Sequence, residues 1–291
     1  MLGHKLVQVL RRRFDVRTTL RRDFSRYEYL ELFKREKTFD SVDAANFGKF
    51  ERILKTLRPD VVINAVGIIK QLPNSKDVIN TLAINSIFPH RLAQAARQWK
   101  FRLITISTDC VFDGKKGNYK EEDISDARDL YGKSKNLGEV CEENCLTLRT
   151  SIIGREIETS HSLIEWFLSH RGGKIKGFKK AVYTGFPTIV LADIIGDIIE
   201  NFPDLQGLYH LSGEPINKFD LLTLVNKEYA LGITIEADED FEMDRSLDST
   251  RFRRETNFRP QSWEEMIKIM SGDQTPYDFW RNQIHFKTGK D

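Results

Sequence analysis

Arg102-Leu103-Ile104-Thr105-Ile106-Ser107 is an apolar, β-branched run that stops against Thr108-Asp109. A run of this length between helical stretches reads as a strand covered on both faces, the situation of strands in a parallel sheet. Two others share its character, Asp60-Val61-Val62-Ile63-Asn64-Ala65-Val66 and Leu146-Thr147-Leu148-Arg149-Thr150. Around them, Phe47 to Leu57, Ile79 to Trp99 and Tyr131 to Cys141 repeat apolar residues at helical spacing. The alternation predicts an α/β chain with a doubly wound parallel sheet.

Beyond residue 155 the alternation loosens. Helical patterns at Leu163 to Ser169, Leu191 to Glu200, Phe219 to Ala230 and Trp263-Glu264-Glu265-Met266-Ile267 interleave with short strand candidates at Leu208 to Leu211 and Gly232 to Ile235. The expected organisation is a sheet domain over residues 1–155 and a smaller α+β lobe over residues 156–291, with segments such as Leu191 to Glu200 returning to the first domain. A chain of 291 residues is long enough for both.

Lysine plus arginine number 45 against 43 acidic residues, so no global field points to nucleic acid, and a small-molecule ligand is expected. Cys110, Cys141 and Cys145 make no paired framework and have no histidines at zinc-site spacing, so they read as reduced thiols, with no metal and a cytoplasmic setting. No apolar run approaches the roughly 18 residues of a membrane span, and the N-terminus is too basic and broken for a signal peptide.

Ligands of open parallel sheets bind outside the carboxyl ends of the strands, which places Ser107-Thr108-Asp109 at a candidate site. The same residue types also cap helices and make turns. Their partner is Tyr131-Gly132-Lys133-Ser134-Lys135, where tyrosine and lysine at i and i+4 share a helix face. A phenol has an ordinary pKa of about 10, and an adjacent ammonium stabilises its anion, so the pair can exchange a proton near neutral pH. Strand, Ser-Thr-Asp, loop, Tyr-x-x-x-Lys and strand follow one another in the order such a site needs.

Ser107-Thr108-Asp109-Cys110-Val111-Phe112-Asp113-Gly114, Leu130-Tyr131-Gly132-Lys133-Ser134-Lys135 and Leu148-Arg149-Thr150-Ser151 resemble the dTDP-4-dehydrorhamnose reductase family of extended short-chain dehydrogenases. Asp60 to Gly67, Asn85, Gly207-Leu208-Tyr209-His210-Leu211-Ser212-Gly213 and Arg245-Ser246-Leu247-Asp248-Ser249 extend the likeness nearly end to end. The resemblance implies a Rossmann-like, NAD(P)-binding first domain and a substrate-binding lobe. It implies hydride transfer from a nicotinamide to the C4 ketone of a nucleotide-linked 4-keto-6-deoxy sugar, in deoxysugar and polysaccharide biosynthesis. Tyr131 is then the general acid, Thr108 a hydrogen-bond donor to the ketone oxygen, and Lys135 a holder of the nicotinamide ribose. Asp109 orients Thr108 or contacts the sugar. Asp43 corresponds to an adenine contact, Ala65 and Gly67 to backbone beside the cofactor, and Asn85 to a helix asparagine counted with the cofactor residues. Arg245, with Arg251, is the candidate for the substrate diphosphate, since guanidinium matches phosphate oxygens. Lys70, in Gly67-Ile68-Ile69-Lys70-Gln71, faces either a phosphate or solvent, and of Trp166 and Phe167 at least one is expected in the core.

The family pattern opens with a short strand and a Gly-x-x-Gly-x-x-Gly turn whose backbone meets the cofactor pyrophosphate at a helix N-terminus. Here the chain reads Met1-Leu2-Gly3-His4-Lys5-Leu6; Gly3 fits the third glycine, and the strand and first two glycines are absent. That strand belongs in mid-sheet, so its two neighbours are expected to lack a partner along one edge. The expectation is that these residues belong to a longer protein; the alternative is a shortened relative that no longer binds dinucleotide. Arg21 and Arg22, near the end of the second strand, favour NADPH over NADH, because arginine accepts a 2′-phosphate where a carboxylate would take the ribose hydroxyl. A homodimer is compatible with this reading. Two rival functions are an NAD-dependent sugar-nucleotide epimerase or dehydratase, and a non-catalytic regulatory subunit like the partner of methionine adenosyltransferase.

Overall fold

The computed structural model describes residues 1–70 and 76–288; Gln71, the end of the loop noted above, lies outside the described residues. The chain begins with α1 (Leu2–Leu10), β1 (Thr18–Thr19), β2 (Thr38–Phe39), α2 (Phe47–Leu57) and β3 (Val61–Asn64). It continues through α3 (Val78–Leu82), a π-helical turn (Ala83–Ile87), α4 (Phe88–Trp99), β4 (Arg102–Thr108), α5 (Leu130–Leu137) and β5 (Cys145–Thr150). Then come β6 (Ile152–Ile153), α6 (Leu163–Leu168), β7 (Lys174–Tyr183), β8 (Phe186–Pro187), α7 (Thr188–Asn201), β9 (Gly207–His210) and β10 (Ile216–Asn217). Last are α8 (Lys218–Glu228), β11 (Thr234–Asp244), α9 (Thr250–Thr256), α10 (Trp263–Ser271) and α11 (Tyr277–Thr288).

The sheet that carries the site has the order β3-β4-β5-β9, all parallel. Its centre is apolar on both faces because successive side chains alternate: Leu103 enters one hydrophobic cluster with Phe50, Phe88 and Leu92, while Ile104 enters another with Leu2, Leu191 and Ile195. Each fully buried aliphatic contributes about 1.5–3 kcal/mol, so this two-sided cover stabilises the Rossmann-like layering of helices on a parallel sheet. Helix α7 returns to this layer, packing on α1 through Ile194, Ile195 and Ile198 against Leu6 and Leu10.

β1 pairs only with β2, Thr18 opposite Thr38, and β3 is an edge of the four-stranded sheet. The parallel strands before β6, with β9, thus fall into two ladders, and among the described residues β1 and β3 do not pair. Val61, Val62 and Ile63 are accordingly half-buried, where Leu103 and Ile104 are fully enclosed.

The later half builds a second sheet, β10-β7-β11, with β11 parallel and β10 antiparallel to β7. Short strands β6, β8 and β10 and helices α9 and α11 go beyond the sequence expectation, and the largest differences are that β7 was not foreseen and that β11 runs far beyond Ile235. Both carry charge rather than an apolar run. Lys174 pairs with Glu236 at 2.6 Å and Lys176 with Asp238 at 3.1 Å, so opposed charges zip a ladder that no local hydrophobic pattern announces.

The π-helical turn has a local cause. Pro89 has no amide hydrogen for the Asn85 carbonyl four residues back, so the helix cannot continue in α register there. The freed Asn85 carbonyl is covered by Gly138, where a Cβ would run into that oxygen. Gly138→Ala is expected to destabilise the fold by about 1–3 kcal/mol through overpacking, read as a lower urea midpoint at unchanged m-value. A midpoint equal to wild type would show that α5 simply slides aside.

Candidate active site

Thr108 closes β4, and the chain enters a 3-10 turn, Asp109–Val111. The Thr108 hydroxyl accepts the Cys110 amide at 3.1 Å and donates to Asp109 Oδ1 at 3.1 Å, which anchors it at the carboxyl end of the sheet. α5 begins after Asp129, whose carboxylate accepts the Gly132 amide at 2.9 Å and pairs with Lys70 at 2.7 Å. The cap fixes the first turn of α5, and Tyr131 on that turn lies beside Thr108. Burial raises the Tyr131 phenol well above its ordinary range; Cys110, Asp109 and Asp129 push the same way and Thr108 opposes them. A phenol so placed is fully protonated at neutral pH.

Lys135, one turn on, is buried and donates to the Ile106 carbonyl at 2.7 Å. Burial pulls its pKa down to about 8, against the opposing effect of Glu139. The cation over the Tyr131 ring is Lys70, its Nζ 5.7 Å from the centroid.

Behind Lys135 lies a buried polar network that the sequence reading passed over. Arg149 and Glu139 form a two-pronged pair, Nε to Oε1 at 2.8 Å and Nη2 to Oε2 at 2.7 Å, with side chains 4% and 7% exposed. Ser107 donates to the same carboxylate at 2.7 Å, and Arg149 also reaches Ser125 at 3.1 Å. Glu139 stands four residues after Lys135, just past the Gly138 cap of α5, and that spacing was the available signal. His210 completes the network: Nδ1 is 3.0 Å from the Tyr119 carbonyl and Nε2 3.3 Å from Arg149 Nη1. Those partners require a neutral ring with its proton on Nδ1, so that Nε2 accepts from the guanidinium.

Burial and then Arg149 depress the His210 pKa to about 3. The unfolded chain, with an ordinary histidine near 6.5, binds the extra proton first between these values, so His210 contributes stability above about pH 6.5 that is lost as pH falls towards 3. Replacing it, as in His210→Asn, should flatten the decline of the urea midpoint between pH 7 and pH 4.5. An unchanged decline would assign the acid sensitivity to carboxylates alone.

The candidate cofactor residues form a second group. Gly3 lies in the first turn of α1 and lines a cavity of about 360 Å³ with Thr18, Thr19, Tyr27, Phe33 and Glu158. Arg21, exposed, and Asp43, half-buried, face each other at 3.4 Å, so a 2′-phosphate on Arg21 would compete with Asp43. Ala65 and Gly67 follow β3 and are exposed. Asn85 is buried and fully engaged: its Oδ1 accepts the Ile68 amide at 2.8 Å, and its Nδ2 donates to Ile68 O at 2.9 Å and Ser134 Oγ at 3.1 Å. It clamps the segment after β3 to α5.

On the substrate side Arg245 donates to the Phe112 carbonyl at 3.0 Å and lies 3.4 Å from Cys110 Sγ, beside the Thr108 turn. Arg251 is elsewhere, stacked 4.4 Å over the Tyr209 ring and paired with Glu255. Phe167 is enclosed in the core, while Trp166 is 39% exposed against His170. Among the described residues no cluster of metal-ligating side chains occurs, and no helix is long and apolar enough to cross a membrane.

The dTDP-4-dehydrorhamnose reductase of Aggregatibacter actinomycetemcomitans is 28% identical over 84% of this chain and 90% of its own length. The β subunit of methionine adenosyltransferase 2 from Bos taurus is 27% identical over 66% of this chain and 61% of its own length. The solved dTDP-4-dehydrorhamnose reductase of Bacillus anthracis, a complex with NADP, superposes with a TM-score of 0.72 at 19% identity, over 88% of this chain and 99% of that one, a likeness of fold. Residues 1–274 match the family described as the RmlD substrate binding domain, and the chain belongs to that family.

Proposed function

We propose that this protein is a short-chain dehydrogenase-type oxidoreductase that uses NADPH, with NADH as the alternative, to reduce the C4 ketone of a nucleotide-linked 4-keto-6-deoxy sugar in polysaccharide biosynthesis. The observation that carries the reading is the placement of Tyr131 beside Thr108 at the carboxyl end of β4, with Lys135 buried one turn behind.

The cofactor side fits on geometry. The cavity at Gly3 has aromatic walls in Tyr27 and Phe33 for a base, and Glu158 and the threonines offer acceptors for ribose hydroxyls. Space around Gly3 is open, with nothing within 4 Å of where a Cβ would stand. When bound, the reduced nicotinamide supplies a hydride, that is, two electrons and one hydrogen nucleus. The residues of this chain do the rest. Tyr131 gives its proton to the ketone oxygen as negative charge gathers there, and Thr108 turns its one O–H away from Asp109 to donate to that oxygen. Lys135 holds the ribose hydroxyls and then offers positive charge to the Tyr131 phenolate. Asp109 accepts the Thr108 O–H until the ketone arrives, and Arg245 receives the substrate diphosphate.

The test is loss of NADPH absorbance with dTDP-4-keto-6-deoxy-L-mannose, one NADPH per sugar reduced. Turnover of the sugar without net NADPH consumption would favour an epimerase or dehydratase, and failure to bind any dinucleotide would favour a regulatory subunit.

A further inference from the structure

A cation that the family resemblance did not single out faces the same mouth. Lys218 is the first residue of α8, and its Nζ stands 4.4 Å from the centroid of the Tyr183 ring at the end of β7. Strand register brings it to the site: Thr150 is opposite Thr108, Ser151 follows, and Ser151 O accepts the amide of Phe186, three residues beyond Tyr183. Tyr183 and Ser151 are in side-chain contact, and the Asp109 carboxylate acts on both Tyr183 and Lys218. The Tyr183 ring is 4% exposed and its hydroxyl is buried without a hydrogen bond of good geometry.

Lys218 is half-buried, yet among the described residues no carboxylate lies within ion-pair distance of it and no acceptor takes its protons. Other lysines near the site are satisfied, Lys70 by Asp129 and Lys135 by Ile106 O. Asp109 balances Lys218 only from a distance and is itself engaged by Thr108. Arg245, beside the same Asp109-Cys110 turn, likewise has carbonyl and thiol neighbours but no carboxylate partner among the described residues. A desolvated ammonium lacking a counter-ion is costly unless a ligand completes it.

We infer that Lys218 binds an anionic oxygen of the substrate, phosphate or carboxylate, at the same mouth as Arg245, so that two cations near the Thr108-Tyr131 pair hold the substrate. The inference rests on reading that mouth as the substrate site, and its test needs no turnover. Calorimetric titration of the whole protein with UDP, UDP-glucose, UDP-glucuronate and uridine is compared for wild type, Lys218→Met and Lys218→Arg. A charge-assisted contact corresponds to about a tenfold or greater change in dissociation constant. The Met variant should lose that much for the charged ligands, the Arg variant should retain most of the affinity, and uridine should bind all three alike. A loss shared by UDP and UDP-glucose places the diphosphate on Lys218; a loss confined to UDP-glucuronate places a sugar carboxylate there. Equal affinities in wild type and Met variant, an equal loss for uridine, or no binding of any probe to wild type would overturn the inference. Lys218-dependent binding without ketone reduction would instead leave it standing and sink the reductase reading.

Discussion

Tyr131→Phe should lower kcat for NADPH-dependent ketone reduction at least about a hundredfold, the low end of what a positioned general acid contributes. The substitution removes one oxygen and keeps the ring, so the packing of Lys70 over that ring and the Asp129 cap of α5 are retained. Dinucleotide affinity should therefore be nearly unchanged, and the loss should fall on kcat rather than KM. The phenol is raised by burial, so it stays protonated across the working range and a declining limb at low pH would have to come from another group. Lys135, at about 8, supplies the alkaline limb instead, since the ribose contact loses its positive charge above that value. Stopped-flow measurement of NADPH oxidation separates these effects, and a Phe variant turning over at the wild-type rate removes Tyr131 from the chemistry.

Arg149→Met should destabilise the fold by about 3–5 kcal/mol, because it leaves the Glu139 carboxylate buried without its cation. Ser107 and Asn136 still donate to that carboxylate, at 2.7 Å and 3.2 Å, but neither carries charge. His210 would lose the donor that fixes its tautomer. The double variant Arg149→Met with Glu139→Leu should recover a large part of the loss, since removing both charges also removes the desolvation they share. Urea titrations of the two single variants and the double variant measure the coupling. A single-variant loss within about 1 kcal/mol, the range of exposed pairs, would mean that water reaches this network.

The buried half of the site was legible in the chain because its signals are local. Leu103 to Ser107 had to be a two-sided strand, and Tyr131 with Lys135 had to share a helix face. Arg149 was visible only as a strand residue, since its partner Glu139 lies on another element and a parallel ladder joins residues far apart. β7 and β11 escaped for a related reason. β7 has lysine at four of its ten positions and β11 has acidic residues at six of eleven, and the two are joined by opposing charge across some sixty residues of chain, Lys174 with Glu236 and Lys176 with Asp238. Lys218 carries no motif at all, and only the fold sets it above Tyr183. Asn85 was read through resemblance as a cofactor residue, while its side-chain bonds go to Ile68 and Ser134.

The wide turn at Ala83–Ile87 has a consequence for how this part of the chain tolerates change in length. An α-helix advances about 100° per residue, so deleting one residue there would rotate all of α4 by that angle about its axis. Phe88, Leu92 and Ala95, now enclosed, would swing outward, and His90, Gln94 and Arg97 would be driven towards the cluster around Phe101 and Leu103. Substitutions within the turn can be absorbed one side chain at a time. A single-codon deletion cannot, because the turn works as a rotational spacer between the Asn85 clamp and the helix that covers the sheet.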